Sequence, residues 1–272
     1  MNSTEIDSFL NGTRLYGNDL DAEGIENWFS EEAEGYASLG ASNRNSYQYA
    51  YHAMNELHGF RQLQAVTFKH VLGLGSAYGD ELKPILDRAQ EITILEPSNS
   101  FSASQISGVP VTYRCPNASG TIALEDDSVD LVIAFGVLHH IPNVRFVISE
   151  LARVLAPGGV LLLREPIVSM GDWRRPRPGL TKNERGIPLR LLRSFLIESG
   201  LTVHQERLVD FAPLTRTMAR FVRSDVFNSP FLTKIDMWAS RAMQWNLRYH
   251  ATKIWHKLRP SSAFFVLSKP KS

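Results

Sequence analysis

From residue 66 onward short apolar runs alternate with amphipathic stretches, and no other feature limits the possible folds of this chain as strongly. The runs are His70–Leu74, Glu91–Leu95, Val109–Arg114, Val129–Phe135, Gly159–Arg164, Thr202–Val209 and Ala263–Ser268. Between them, Asp80–Ala89, Val144–Leu155 and Leu189–Ser199 have helical character and end near Gly, Pro or polar breaks. Apolar runs without an in/out alternation suit parallel strands covered on both faces, so the pattern predicts an α/β fold with a doubly wound sheet of about seven strands.

With 272 residues, 43% of them hydrophobic, the chain is long enough for one such domain with additions. Residues 1–65 mix acids with aromatics and hold no proline, which predicts a helical N-terminal cap with a turn around Gly35–Gly40. The domain proper is expected over 66–272, with a helical insertion at about 213–258 between the sixth and seventh strands. Its second half spaces Lys234, Trp238, Arg241, Trp245, Arg248, Tyr249, Lys253 and Trp255 through a predicted helix. That helix either packs its tryptophans on the domain and solvates its charges, or forms a lid or partner surface. A formal charge of +1 gives no global attraction to nucleic acid or to an anionic membrane. One cysteine, Cys115, excludes an internal disulfide and a multi-cysteine zinc site. No run approaches a membrane span and the first residues do not read as a secretory signal, so a cytoplasmic location is expected. The oligomeric state is not legible.

The segment Val71–Gly79, VLGLGSAYG, takes a strand into a glycine-rich turn and then into a helix opening with Asp80 and Glu81. Glycines at 73, 75 and 79 let backbone approach a ligand where a side chain would collide. The next strand, ITILEP, ends in Glu96 and Pro97, placing a carboxylate where it can accept hydrogen bonds from both hydroxyls of a ribose. Nicotinamide enzymes use the same device, so these residues alone do not choose the cofactor.

The downstream order does. An asparagine-bearing turn at 117–120 leads to EDDSVDLVIAFGVLHHI, a helix and LAPGGVLLLREP. Over roughly Val66–Val209 and the last strand, the chain resembles the class I S-adenosylmethionine-dependent methyltransferases, especially the small-molecule group with Leu-His-His after the fourth strand. The resemblance implies a Rossmann-like sheet with an antiparallel last strand, S-adenosyl-L-methionine as cofactor and a small-molecule acceptor, such as a saccharide or other polar metabolite. It also implies that Gly73, Gly75, Ala77 and Gly79 form the methionine end of the cofactor site. Glu96 with Pro97 would hold the ribose, Asn117 and Ala118 the adenine, and Phe135, Gly136 and Val137 would lie against the cofactor. Gly73 stands where the family commonly has an acid, and Asn117 where it has aspartate; the Asn117 amide can still accept from an adenine amine. Ala77 replaces a glycine and requires φ below zero.

On the acceptor side, His139 is the favoured acceptor-facing residue and general base, with His140 the second candidate; both also suit a structural role capping the next helix. The pair is not expected to hold a metal. Additions before the first strand (Tyr36, Tyr47) and after the fifth (Glu165, Trp173, Arg174, Arg175) are expected to roof the acceptor pocket, although the loop carrying the last three also reads as an ordinary solvated one. A non-catalytic cofactor-binding protein of the same fold is the alternative, and a nicotinamide-dependent oxidoreductase is disfavoured because the turn lacks the full G-x-G-x-x-G pattern. No nucleic-acid partner is expected, since neither a basic face nor a nucleic-acid acceptor motif is present.

Overall fold

The computed structural model describes residues 3–38, 44, 47–98, 100–218 and 226–271. Eight strands form one sheet in the order β3-β4-β2-β1-β5-β6-β8-β7. They are β1 (Phe68–Leu74), β2 (Ala89–Leu95), β3 (Gln105–Ile106), β4 (Val109–Arg114), β5 (Val129–Phe135), β6 (Leu155–Pro166), β7 (Thr202–Phe211) and β8 (Pro260–Ser268). The central strands β4, β2, β1, β5 and β6 are parallel, whereas β8 runs antiparallel to both β6 and β7. The short β3, which no apolar run announces, brings the sheet to eight strands where about seven were expected. This two-residue strand pairs antiparallel with β4 through a tight turn at Ser107 and Gly108, both at positive φ, and is too short to carry a period.

Helices cover both faces because the central strands are apolar on both. One core gathers Leu72, Val132 and Leu163 against α4 (Val144–Val154) and α5 (Leu189–Glu198). The other gathers Val71, Ile92 and Ile133 against Met54 of α3 (His52–His58) and Leu82. The stretch expected as a helix at 80–89 is a 3-10 helix, Asp80–Arg88, since Pro84 within it cannot donate to an α-helical ladder. N-terminal to the sheet lie α1 (Ser3–Leu10), α2 (Ala22–Ser38) and α3. Helix α2 runs on through Gly35, so no turn opens there, and part of the expected Gly35–Gly40 turn lies outside the described residues. The insertion holds α6 (Ala212–Met218) and α7 (Pro230–Ala242), and α7 gives way to 3-10 turns well short of Trp255. Strand order reverses between β1 and β5, which opens a crevice at their C-terminal ends.

Candidate functional site

A cavity with about 960 Å³ of free space, part of it open to solvent, sits at that crevice. Its walls are Leu74 and Gly75 after β1, Glu96 and Pro97 after β2, the 116–122 loop, and Gly136 and Val137 after β5. Helix α2 closes it with Phe29, Glu32 and Ala33. Gly75 is at φ +64, and a Cβ there would lie 2.5 Å from Val137 Cγ2, so the turn hugs the cavity only as glycine. The 116–122 wall is held from behind by α4, where Glu150 accepts from the Ile122 amide at 2.9 Å and Arg153 donates to the Ile122 and Leu124 carbonyls.

Glu96 lines the cavity although only 4% of it is exposed, and burial pushes its carboxyl up to about 7. One of its oxygens accepts from the Ala77 amide at 3.1 Å. Ala77 itself lies at φ +45, against the requirement for a negative φ stated above. Its peptide units are gripped on both sides, by Glu96 at the N–H and by the Tyr113 hydroxyl, which donates to its carbonyl at 2.9 Å; such gripping offsets the roughly 1–3 kcal/mol that a left-handed alanine costs. Asn117 and Ala118 also line the cavity, and the Asn117 side-chain oxygen accepts from the Ser119 amide at 3.1 Å.

Gly73, Ala77, Gly79 and Phe135 do not line it. Gly73 lies in the middle of the sheet, where a Cβ would sit 2.4 Å from Ser76 Oγ. That hydroxyl donates to Glu81 at 2.6 Å, so a buried Ser76–Glu81 pair occupies the side of the turn where an acid at 73 would point. Phe135 turns into the core against Phe60 and Phe264.

The Leu138–His140 turn is held by buried charge. Glu165, with no exposed surface, accepts from the amides of Val137, Leu138 and His139 at 2.9, 2.7 and 3.3 Å, and from His139 Nδ1 at 2.8 Å. The other ring nitrogen of His139 is 3.6 Å from Glu184. Burial opposes charge on His139, but hydrogen bonding to Glu165 and Glu184 outweighs it and holds the imidazole up to about 9. His140 contrasts with it: the ring lines the cavity, and Nδ1 is 2.8 Å from Glu32. Burial and the neighbouring His139 charge keep His140 below the usual histidine value, despite Glu32. His139, His140 and Glu184 bring potential metal-ligand atoms within 4.8 Å of one another.

The remaining acceptor-side expectations scatter. Glu165 is bonded beneath the turn and is not among the residues that line the cavity. Trp173 is a strut between the post-β6 loop and the N-terminal segment, stacked on Tyr16 at 4.3 Å and edge-on to Phe9 at 5.9 Å. Arg174 forms a two-pronged pair with Asp172, and Arg175 is exposed nearby. Tyr47 packs edge-on against Tyr78 of the glycine turn. Tyr36 belongs to α2, but its side chain lies outside the described residues.

Several residues unmarked by sequence reasoning do organise the site. Arg185 donates to the carbonyls of His139, Ile141 and Pro142 at 2.7, 2.7 and 3.1 Å and covers Trp28. Glu32 accepts from Thr181 Oγ1 at 2.6 Å and the Asn183 amide at 2.8 Å, joining α2 to the same loop. A possible signal was the run Thr181-Lys-Asn-Glu-Arg-Gly186, unusually dense in groups able to bond backbone, though it reads equally well as a solvated loop.

A cavity at the switch point of a doubly wound sheet, with a glycine turn on one strand and a carboxylate on the next, defines an α/β nucleotide-cofactor-binding protein. Residues 72–163, about a third of the chain, match the family model described as a methyltransferase domain. A ubiquinone biosynthesis O-methyltransferase of Rhizobium johnstonii is 25% identical over 161 residues, 53% of this chain and 64% of the relative. A protein of Mycolicibacterium smegmatis named as a probable S-adenosylmethionine-dependent methyltransferase is 35% identical over 98 residues, 35% of this chain and 36% of the relative. The chain thus spans less than two thirds of these curated relatives. Among solved structures, the [4+2]-cyclase SpnF shares the fold with a TM-score of 0.58 and 15% identity, covering 93% of this chain and 98% of that one.

Proposed function

We propose that the protein transfers a methyl group from S-adenosyl-L-methionine to a hydroxyl of a small polar acceptor. The observation that supports this reading is the cavity itself, lined by the buried Glu96 after β2 and by His140 after β5. The cradle fits the cofactor: Gly75 at φ +64 carries bare backbone along the cavity wall, and Glu96 has acceptor capacity for two hydroxyl donors. When bound, the cofactor supplies an electrophilic methyl on a sulfonium. Around it, Asn117 and Ala118 take the adenine edge, and Gly75, Gly136 and Val137 the methionine portion.

His140 is the general base in this proposal, and His139 a positioning residue. A base must be neutral before it acts, which the lowered His140 value provides and the raised His139 value denies. Glu32 orients the His140 ring and stabilises the imidazolium once the acceptor proton has moved to it. With the cofactor bound, the acceptor oxygen would take the methyl and His140 would take the hydroxyl proton, so the products would be a methyl ether and S-adenosylhomocysteine. An oxygen acceptor agrees with the name of the Rhizobium johnstonii relative. Two carboxylates on the cavity wall, Glu32 and Glu96, disfavour a polyanionic acceptor such as nucleic acid. The exposed, unpaired Cys115 suits a reducing compartment such as the cytoplasm. The test is calorimetry with S-adenosylhomocysteine, followed by labelled-methyl transfer into extracts and identification of the labelled product. Absence of cofactor binding would overturn the reading.

A further inference from the structure

Helix α7 is inside out. It buries Thr233, Asp236 and Ser240 completely, and its exposed stripe carries Phe231, Lys234, Ile235, Trp238 and Arg241. The polar face turns inward because the Asp236 carboxylate accepts from the amides of Asp210 and Phe211, at 3.0 and 2.6 Å, where β7 ends. That bonding fixes the rotation of the helix and sends Phe231, Ile235 and Trp238 to solvent, while Leu232 packs on the core. The spacing of three and four continues past the helix end to Trp245, which is 76% exposed. The Asn246 side chain then donates to the carbonyls of Trp255 and Leu258, both at 2.8 Å, and draws the Ile254–Lys257 turn alongside. The patch therefore also holds Ile254, 80% exposed, and Trp255, 55% exposed.

Its charge is one-sided. Lys234, Arg241, Arg248, Lys253 and Lys257 are exposed, whereas the one acid between 230 and 259, Asp236, is buried. No carboxylate pairs with these five cations among the described residues; instead, Arg241 lies over Trp238 and Lys253 over Trp255. A chain of net charge +1 has thus concentrated cations with three of its five tryptophans on one surface. Tryptophan and long aliphatic side chains favour the headgroup boundary of a bilayer, and unpaired cations favour anionic lipid. No helix among the described residues is long and apolar enough to cross a membrane, so this is attachment to a surface.

We propose that the α7 face, continued by Trp245 and the 254–257 turn, docks the protein on an anionic lipid bilayer. An acidic protein would match the charge but would not need three tryptophans and an isoleucine presented to water. The proposal stands independently of the methyl-transfer reading.

The test is co-sedimentation of the full chain with phosphatidylcholine vesicles, with and without about 30% phosphatidylglycerol. The protein should pellet with the anionic vesicles only, and should be released as salt shortens the Debye length. Combining Trp238→Ala, Trp245→Ala and Trp255→Ala, or Lys234→Gln, Arg241→Gln and Lys253→Gln, should lower partitioning by about tenfold or more. Either set should leave binding of S-adenosylhomocysteine unchanged, which reports an intact fold. If a triple variant does not fold, Trp245→Ser alone should still weaken partitioning measurably. Wild-type protein that ignores anionic vesicles, or variants that bind them as wild type does, would overturn the proposal. So would a wild-type dimer in sedimentation velocity that the tryptophan variant converts to monomer, because a second copy would then cover the face.

Discussion

Glu96 serves the chain and the cavity with one carboxylate: it fixes the left-handed Ala77 and presents its remaining acceptor capacity to a ligand. Burial holds it at about 7 in the free protein, whereas ribose hydroxyls bind the ionised form. Cofactor affinity should therefore fall as pH drops below 7, and binding near pH 7 should release a proton, which calorimetry in two buffers of different ionisation enthalpy would detect. Glu96→Ala should weaken binding by roughly 1.5–3 kcal/mol, about ten- to a hundredfold; an unchanged Kd would remove Glu96 from the site. The two histidines are predicted to separate cleanly. His140→Ala should lower kcat by about 10²-fold or more with little loss of Tm. His139 has a folded-state value near 9 against an ordinary value of 6.5, so its pairing stabilises the fold fully below pH 6.5 and is lost as pH rises through 9. The wild-type Tm should fall over that window, and the fall should flatten in His139→Gln. Sequence reasoning could place the Leu-His-His turn at the site but could not order its members. The distinction depends on Glu165 and Glu184 flanking one ring and Glu32 facing the other, and these contacts span 26, 45 and 108 positions of chain.

At the scale of elements, α2 is the piece whose role changes most. An N-terminal cap was expected to roof the acceptor pocket; in the structure Phe29, Glu32 and Ala33 of α2 line the cavity, and Glu32 lies 2.8 Å from Nδ1 of His140, the proposed base. Phe29→Ala should therefore raise the Kd for S-adenosylhomocysteine by about tenfold, the order expected when a partly buried aromatic is lost. Glu32→Gln should spare that Kd, lower kcat and move the acid limb of the kcat profile downward, since a carboxylate that favours the His140 imidazolium is gone. A Glu32→Gln profile superimposable on wild type would remove Glu32 from the proton path. The strands of the central sheet were legible because strands buried on both faces read as plain apolar runs; β5, as VDLVIAF, is buried along nearly its whole length. The two-residue β3 and the 3-10 helix at Asp80–Arg88 were not, because the first has no period and the second follows from Pro84 in an otherwise helical pattern. For α7 the helical period was readable but the buried face was not, since the rotation is set by Asp236 reaching the end of β7, a contact that no local pattern encodes.

For the molecule as a whole, the cavity walls come from segments far apart in the chain: the glycine turn, the ends of β2 and β5, the 116–122 loop and helix α2. A ligand seated there bonds to the native arrangement and not to the unfolded chain, so its binding energy adds to global stability by mass action. At a hundredfold excess of S-adenosylhomocysteine over its Kd this amounts to about 2.7 kcal/mol. At about 2–4 °C per kcal/mol for a chain near this size, Tm should rise by roughly 5–10 °C. The gain should not be uniform. The buried core strands should exchange their amides only through global opening, whereas α2 meets the sheet mainly through the loop contacts of Glu32 and Trp28 and through the cavity itself. Hydrogen exchange with ligand present should therefore slow most in α2 and in the 116–122 loop, with little change at β7, β8 or α7. Equal protection across the whole chain would show that the cap and the sheet already open as one unit. Slowing confined to the glycine turn would show that α2 does not close on the ligand, and would return the helix to the acceptor side of the site.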